Sequence, residues 1–288
     1  MVATLRRIEV SRGSAEPGVW ELVRAAPDAR LAAHVVDYCG YSETVPSPMR
    51  RRELPMPALV LIIDFGPTLR LIDPRRPEAV QAHAGGFVAG LGDIYTITEN
   101  LGVSRGMQVN VTPLGAYRLI GRPMGVLTNE IVAIGDLFGE EGRLLADELQ
   151  ELRSWAARFE RLDRFVEARL ARGPAIGRDV AWAYRRIAES GGQVAIAELT
   201  SELGISRKHL AARFHAQIGM APKPLARLMR FDRVMQALRS GRFDGWAEIA
   251  QAAGYYDQPH FIREFREFTG GTPTEYLVRR LDMGGIRD

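Results

Sequence analysis

The sequence predicts an α+β fold in three parts: a mostly β N-terminal domain, a helical connector and an all-α C-terminal domain built on two helix-turn-helix units. Three observations predict it: short apolar runs broken by Gly and Pro between residues 53 and 134, a Leu/Ala/Glu/Arg texture with few breakers over 140–172, and an internal duplication after residue 178. A chain of 288 residues suits two domains, because single cores usually stop growing near this size. With 46% hydrophobic and 25% charged residues it has the balance of a folded globular protein. The expected boundaries are 1–139 for an N-terminal regulatory domain, 140–176 for the connector, which is a candidate dimerisation element, and 177–283 for the C-terminal domain.

In the first part, ALVLIIDF (58–65), GGFVAGL (85–91) and MQVNVTPL (107–114) read as strands bounded by turn residues. Met107, Val109 and Val111 alternate with polar residues, the period of a strand with one face buried. From Glu140 the pattern changes: Leu145, Leu149, Leu152, Trp155, Phe159, Leu162 and Val166 recur at helical intervals of three and four. ARGPA (171–175) ends that pattern, because Gly favours a helix C-terminus and Pro resists continuation.

Several classes of function are disfavoured. No apolar run reaches the roughly 18–20 residues of a membrane helix and the first 18 residues lack an apolar core for a secretory signal, so a cytoplasmic location is expected. Cys39 is the only cysteine, which excludes an intrachain disulfide and a multi-cysteine zinc site. His34 and His83 stand 49 residues apart without an H-x-H motif, and no G-x-S-x-G, phosphate-binding loop or dinucleotide motif occurs in a suitable context. No catalytic residue, metal or cofactor is expected, and the chain reads as a non-enzyme. LPMPA (54–58) reads as a rigid loop leading into a strand.

The duplication carries the C-terminal reading. AELTSELG (197–204) matches AEIAQAAG (247–254) at an offset of 50, and His209, Phe214, Gly219 and Pro222 recur as His260, Phe265, Gly270 and Pro273 at an offset of 51. Each copy reads as helix, glycine turn, helix, with Gly204 or Gly254 free to take the left-handed conformation that reverses the chain. Ser206 and Asp257 are then N-caps of the second helices, and Pro259 falls in a first turn, where it loses no intrahelical bond. Leu210 with Phe214, and Phe261 with Phe265, would pack against the first helix of each pair.

Left outward are Arg207, Lys208, His209, Ala211 and Arg213 in one copy, and Gln258, His260, Ile262, Arg263 and Arg266 in the other. Such side chains suit base edges in a major groove, where Arg pairs with guanine and Gln with adenine. Residues 206–242 hold nine basic residues against the single acid Asp232, which reads as a polyanion-binding face. Between the copies, 224–240 reads as one helix packing through Leu225, Leu228, Met229, Val234, Met235 and Leu238, long enough to set two readers about one DNA turn apart.

GYYDQPHFIREFREFTGGTPTEY (254–276) resembles the characteristic segment of AraC/XylS-type transcription regulators, with departures at Tyr255, Tyr256 and Pro259. The resemblance covers about 178–281 and implies two helix-turn-helix subdomains joined by a central helix, reading DNA through Ser206, Arg207, Lys208, His209, Arg213, Asp257, Gln258, His260, Arg263 and Arg266. PLGAY (113–117), Pro123, LTN (127–129) and DLFG (136–139) resemble a sensor-like domain of some of these regulators, which implies a cupin-like β-barrel or sandwich. The partners implied are double-stranded DNA and RNA polymerase, with a small-molecule effector and a second copy of the chain as further candidates. The alternative reading is an enzyme or repair protein fused to a DNA-binding module of this type.

Overall fold

The computed structural model describes residues 6–15, 18–45, 48–241, 245–281 and 284–288. Twelve strands and eleven α-helices occur among them, in two layered halves. The strands of the first half are β1 (Ile8–Ala15), β2 (Gly18–Ala25), β3 (Val35–Thr44), β4 (Met49–Glu53), β5 (Leu59–Asp64), β6 (Arg70–Ile72), β7 (Val80–Ala82), β8 (Phe87–Ala89), β9 (Thr96–Asn100), β10 (Val103–Val111) and β11 (Ile131–Ala133). Helices α1 (Pro113–Ile120), α2 (Ile134–Phe138), α3 (Glu140–Glu151) and α4 (Trp155–Arg172) follow the main strands. A seven-stranded antiparallel sheet runs β1-β2-β3-β10-β5-β8-β11, and a smaller sheet runs β4-β9-β6-β7.

The alternation in β10 decides which face is which. Val109 lies opposite Tyr38 on one side and Leu61 on the other, and all three are fully buried. On this face Val23, Ile63 and Met107 join them under α1, α3 and α4, with the Tyr38 and Phe159 rings stacked at 5.8 Å. The apolar stripe expected over 140–172 is there, with Leu145, Leu149, Phe159, Leu162 and Val166 buried, but it packs on the chain's own sheet. It is interrupted once, at Leu152–Ser154, where the Ser154 side chain caps α4 by accepting from Ala157 N. The opposite face of the large sheet looks toward the small one, and Ile62 and Phe87 meet Leu71 there.

The sequence reading began its strands at residue 53 and so missed β1 to β4. The reason is chemical: β3 and β4 carry polar side chains into the space between the sheets, and β4 is MRRRE. Arg51 is buried because the carboxylate of Glu43, on the facing sheet, pairs with it. The run 107–114 is likewise split, since Thr112 ends the strand and caps α1 by accepting from Gly115 N.

The second half contains α5 (Arg178–Glu189), α6 (Ile196–Leu203), α7 (Arg207–Ile218), α8 (Pro222–Arg239), α9 (Trp246–Ala252), α10 (Gln258–Thr269) and α11 (Pro273–Arg279), followed by the short strand β12 (Ile286–Arg287). One continuous core joins them, from Val180 and Leu199 through Leu225, Leu228 and Phe231 to Phe261 and Phe268. The six packing positions expected on the central helix are all buried. Phe231, fully buried on the same helix, was not among them.

Candidate nucleic-acid interface

Both expected units form as helix, turn, helix. Gly204 (φ +64°) and Gly254 (φ +87°) take the left-handed backbone that turns α6 into α7 and α9 into α10. Ser206 Oγ accepts from His209 N at 3.1 Å, and Asp257 Oδ1 accepts from His260 N at 2.7 Å, so the two second helices are capped in the same way. Ser206 and Asp257 therefore serve their helices first, and each leaves its exposed first turn pointing into solvent.

The structure sorts the candidate readers into two groups. Arg207, Lys208 and His209 on α7 are exposed, as are Gln258, Arg263 and Arg266 on α10. Among the described residues none of Arg207, Lys208, Arg263 and Arg266 makes an ion pair. Arg213, by contrast, is held by Asp179 of α5, its Nε 2.6 Å from the carboxylate. His260 is half-buried between the Tyr255 ring, at 5.4 Å, and Glu264 Oε1, at 3.4 Å. Ala211 and Ile262, read as outward from the helical spacing, are also half-buried, and Ile262 packs against the core. Tyr256, 93% exposed beside the Asp257 cap, is an aromatic at the mouth of the second reader that the sequence reading left unassigned.

The basic stretch 206–242 is not the uniform face that its composition suggested. Arg227 and Arg230 of α8 converge on the buried carboxylate of Glu264, at 2.8 and 3.4 Å, and Arg227 also pairs with Glu267. Arg230 and Arg233 donate to the carbonyls of Gly192 and Ser190, and Arg239 pairs with Asp232. Arg242 lies outside the described residues. The compensating acids come mainly from α5 and α10, outside the window in which charge was counted. Much of the positive charge therefore staples α8 to its neighbours, and the charge available to a polyanion is concentrated on the two reader helices.

The N-terminal half grips the other ends of those helices. The turns at Gly219 and Gly270, equivalent in the duplication, each touch it. Thr128 Oγ1 donates to Gly219 O, and the His215 ring lies against Gly125 of the turn Met124–Leu127. A Cβ on Gly270 would stand 2.6 Å from the Tyr95 ring, and the Arg52 guanidinium lies over that ring at 5.1 Å while donating to Thr269 O at 3.3 Å. The chain end closes this second contact: β12 pairs with β4, and Arg52 Nε reaches Asp288 at 2.6 Å. Sequence could not signal Thr128, Tyr95 or Arg52, because their partners lie 91 or more residues away. Arg52→Ala should raise amide exchange in β12 and the α10–α11 turn by about tenfold, as expected from loss of a partly buried charge-assisted bond, and leave α6 and α7 unchanged. Hydrogen–deuterium exchange reads this directly, and equal protection in variant and wild type would show that the latch carries no load.

Among the described residues no three His, Cys, Asp or Glu side chains are grouped to hold a metal ion, and no helix is long and apolar enough to cross a membrane. Burial pushes the Cys39 thiol up from its ordinary value, away from the reactive thiolate.

Residues 199–279 match the family model described as a helix-turn-helix domain. This is an AraC-type helix-turn-helix domain. The match takes in most of α6 and all of α7 to α11. Comparison with curated proteins gives no match. Among solved structures, ToxT from Vibrio cholerae aligns with 14% identity over 84% of this chain and 98% of its own, with a TM-score of 0.51. An apo point variant of ToxT from the same organism gives 12% identity, 84% and 97% coverage and 0.50. ToxT with an unsaturated fatty acid bound gives 11%, 82% and 92%, and 0.45. At these identities the first two show a shared fold: antiparallel sheets followed by the helical AraC-type domain.

Proposed function

We propose that this AraC-type regulator reads a specific bipartite DNA site with α7 and α10 placed in successive major-groove segments, and that its N-terminal half modulates that binding. The observation that carries the reading is the pair of equivalently capped helices whose exposed first turns hold Arg207, Lys208 and His209 on one side and Gln258 on the other, with Arg263 and Arg266 one and two turns on. Between them α8, 18 residues long, spans about 27 Å, which suits readers one DNA turn apart. Residues 1–139 with the connector 140–176 form the regulatory part in this reading, and 177–283 the DNA-binding part. A small-molecule effector, RNA polymerase and a second copy of the chain are its further partners.

Selection of bound fragments from random DNA tests this. The expected product is a site with two preferred blocks about one helical turn apart. Arg263→Ala should weaken discrimination in one block by about 10–100-fold and leave the other intact, as expected for loss of one bidentate base contact. Arg207→Ala should affect the other block or, if it meets phosphate, lower affinity evenly and reduce the salt slope. A selection that enriches no sequence, or variants that all lose affinity evenly, would sink the specific-reader assignment.

A further inference from the structure

The space between the two sheets has a chemical character of its own. Its apolar side is Ile62, Phe87 and Leu71, with Val60, Ala89 and Ile131 half-buried around them. Its polar side begins at Tyr41, whose hydroxyl donates to Asp64 Oδ1 at 3.0 Å. The second carboxylate oxygen, Oδ2, is buried and has no hydrogen-bond partner among the described residues, and Asp64 as a whole is only 7% exposed. A buried carboxylate oxygen without a donor is costly, which makes it a candidate for contact with something that donates.

The surrounding charge points the same way. Glu43, Glu53 and Asp64 turn toward this space against the single guanidinium of Arg51. That guanidinium is committed to Glu43, which also accepts from Asn100 Nδ2 at 3.0 Å, and stands 3.8 Å from Glu53. Glu53 accepts from the Thr98 hydroxyl at 3.1 Å. The remaining titratable neighbours are Cys39 and Glu53, which act on Tyr41, and His83, whose ring lies 6.5 Å from that of Phe87 and bonds Gln81. Among the described residues Asp64 thus has a neutral donor on one oxygen, none on the other and no cation beside it. A carboxylate ligand would meet the like charges of Asp64 and Glu53 here, whereas an ammonium or amidinium would supply both the missing donor and the missing charge.

We propose that this inter-sheet space at Tyr41–Asp64 is the effector site and that it takes a small organic cation, an amine or amidine, whose apolar body lies against Ile62, Leu71 and Phe87. The proposal rests on the reading of the N-terminal half as the modulating part, and it names the ligand class for it. Desolvation pushes the Asp64 carboxyl up to about 6, so binding weakens as the solution is acidified through that value.

The test uses the full chain at pH 7.5 with butylamine, benzylamine and benzamidine, set against butyrate, benzoate and oleate at matched ionic strength. Calorimetry and thermal unfolding are read together, with affinity for the selected DNA site measured in parallel. At least one cation should bind and raise the unfolding midpoint by about 4 °C or more at saturation. Asp64→Asn should reduce its affinity about tenfold or more. In the wild type the affinity should fall about tenfold per pH unit below about 6, a measurement that does not depend on how the variant folds. The proposal is overturned if only the carboxylates bind, if the cation binds Asp64→Asn equally well, or if no cation binds, Asp64 then being a structural carboxylate that water alone satisfies. Loss of DNA binding by the wild type without any probe would instead count against the regulator reading, so the two failures are distinguishable.

Discussion

Phe231→Ala is expected to lower the unfolding free energy of the C-terminal half by about 3–5 kcal/mol and, with it, to abolish DNA binding. Phe231 is fully buried in the middle of α8, its ring 5.6 Å from that of Phe265 and 4.8 Å from that of Phe268. Phe265 in turn meets Phe261, Trp246 and Tyr276 at 5.6 to 6.2 Å, so one ring on the central helix supports the aromatic core of the whole second unit. Truncation leaves a cavity that these rigid rings cannot readily close, since they are fixed from three helices at once. Denaturant unfolding of the full chain should show an earlier midpoint, and the DNA-binding loss should follow the fraction unfolded. A loss below about 1 kcal/mol would mean that α8 and the second unit are held mainly by the Arg227–Glu264–Arg230 ion pairs and not by the aromatic contact.

The contrast between those ion pairs and that ring explains what was legible in the sequence. Helix ends were readable because their chemistry is local: a cap such as Ser206 or Asp257 satisfies an amide three residues on, and Gly204 turns the chain where it stands. The duplication made these signals visible twice, and the buried stripes of α4 and α8 follow a period that any helix imposes. What failed to show were features defined by distant partners. Arg213, Arg227 and Arg230 looked like a DNA-facing charge only because Asp179 and Glu264 lie outside the counted window. The strands before residue 53 were hidden for a different reason: Glu43 and Arg51, eight residues apart, neutralise each other between the two sheets, so charged side chains stand where an apolar pattern would be sought. The candidate readers survive this correction unevenly: Arg207, Lys208, Gln258, Arg263 and Arg266 stay exposed, while Arg213 and His260 are engaged within the fold.

Asp64 gives the second large effect, and its sign runs opposite to that of most acidic side chains in a folded protein. Burial with a single neutral donor raises its carboxyl from an ordinary value of 3.8 to about 6. A carboxyl raised on folding is neutral in both states at pH below about 3 and contributes no penalty there. As the pH rises from about 4 to about 7 the unfolded chain ionises first, and the folded state loses roughly 3 kcal/mol relative to it. Asp64→Asn keeps the acceptor for the Tyr41 hydroxyl and removes the charge, so it should be more stable than the wild type by about 3 kcal/mol at pH 7.5, with the difference falling below about 1 kcal/mol at pH 4. Comparing the two proteins at each pH cancels the titration of every other group, and a difference that does not change between pH 4.5 and 7.5 would show that Asp64 is not uncompensated. The same argument fixes what a bound cation must do: it should stabilise the wild type above pH 6, where the carboxylate is charged and unpaired, and have little effect on the asparagine variant, which has no charge left to neutralise.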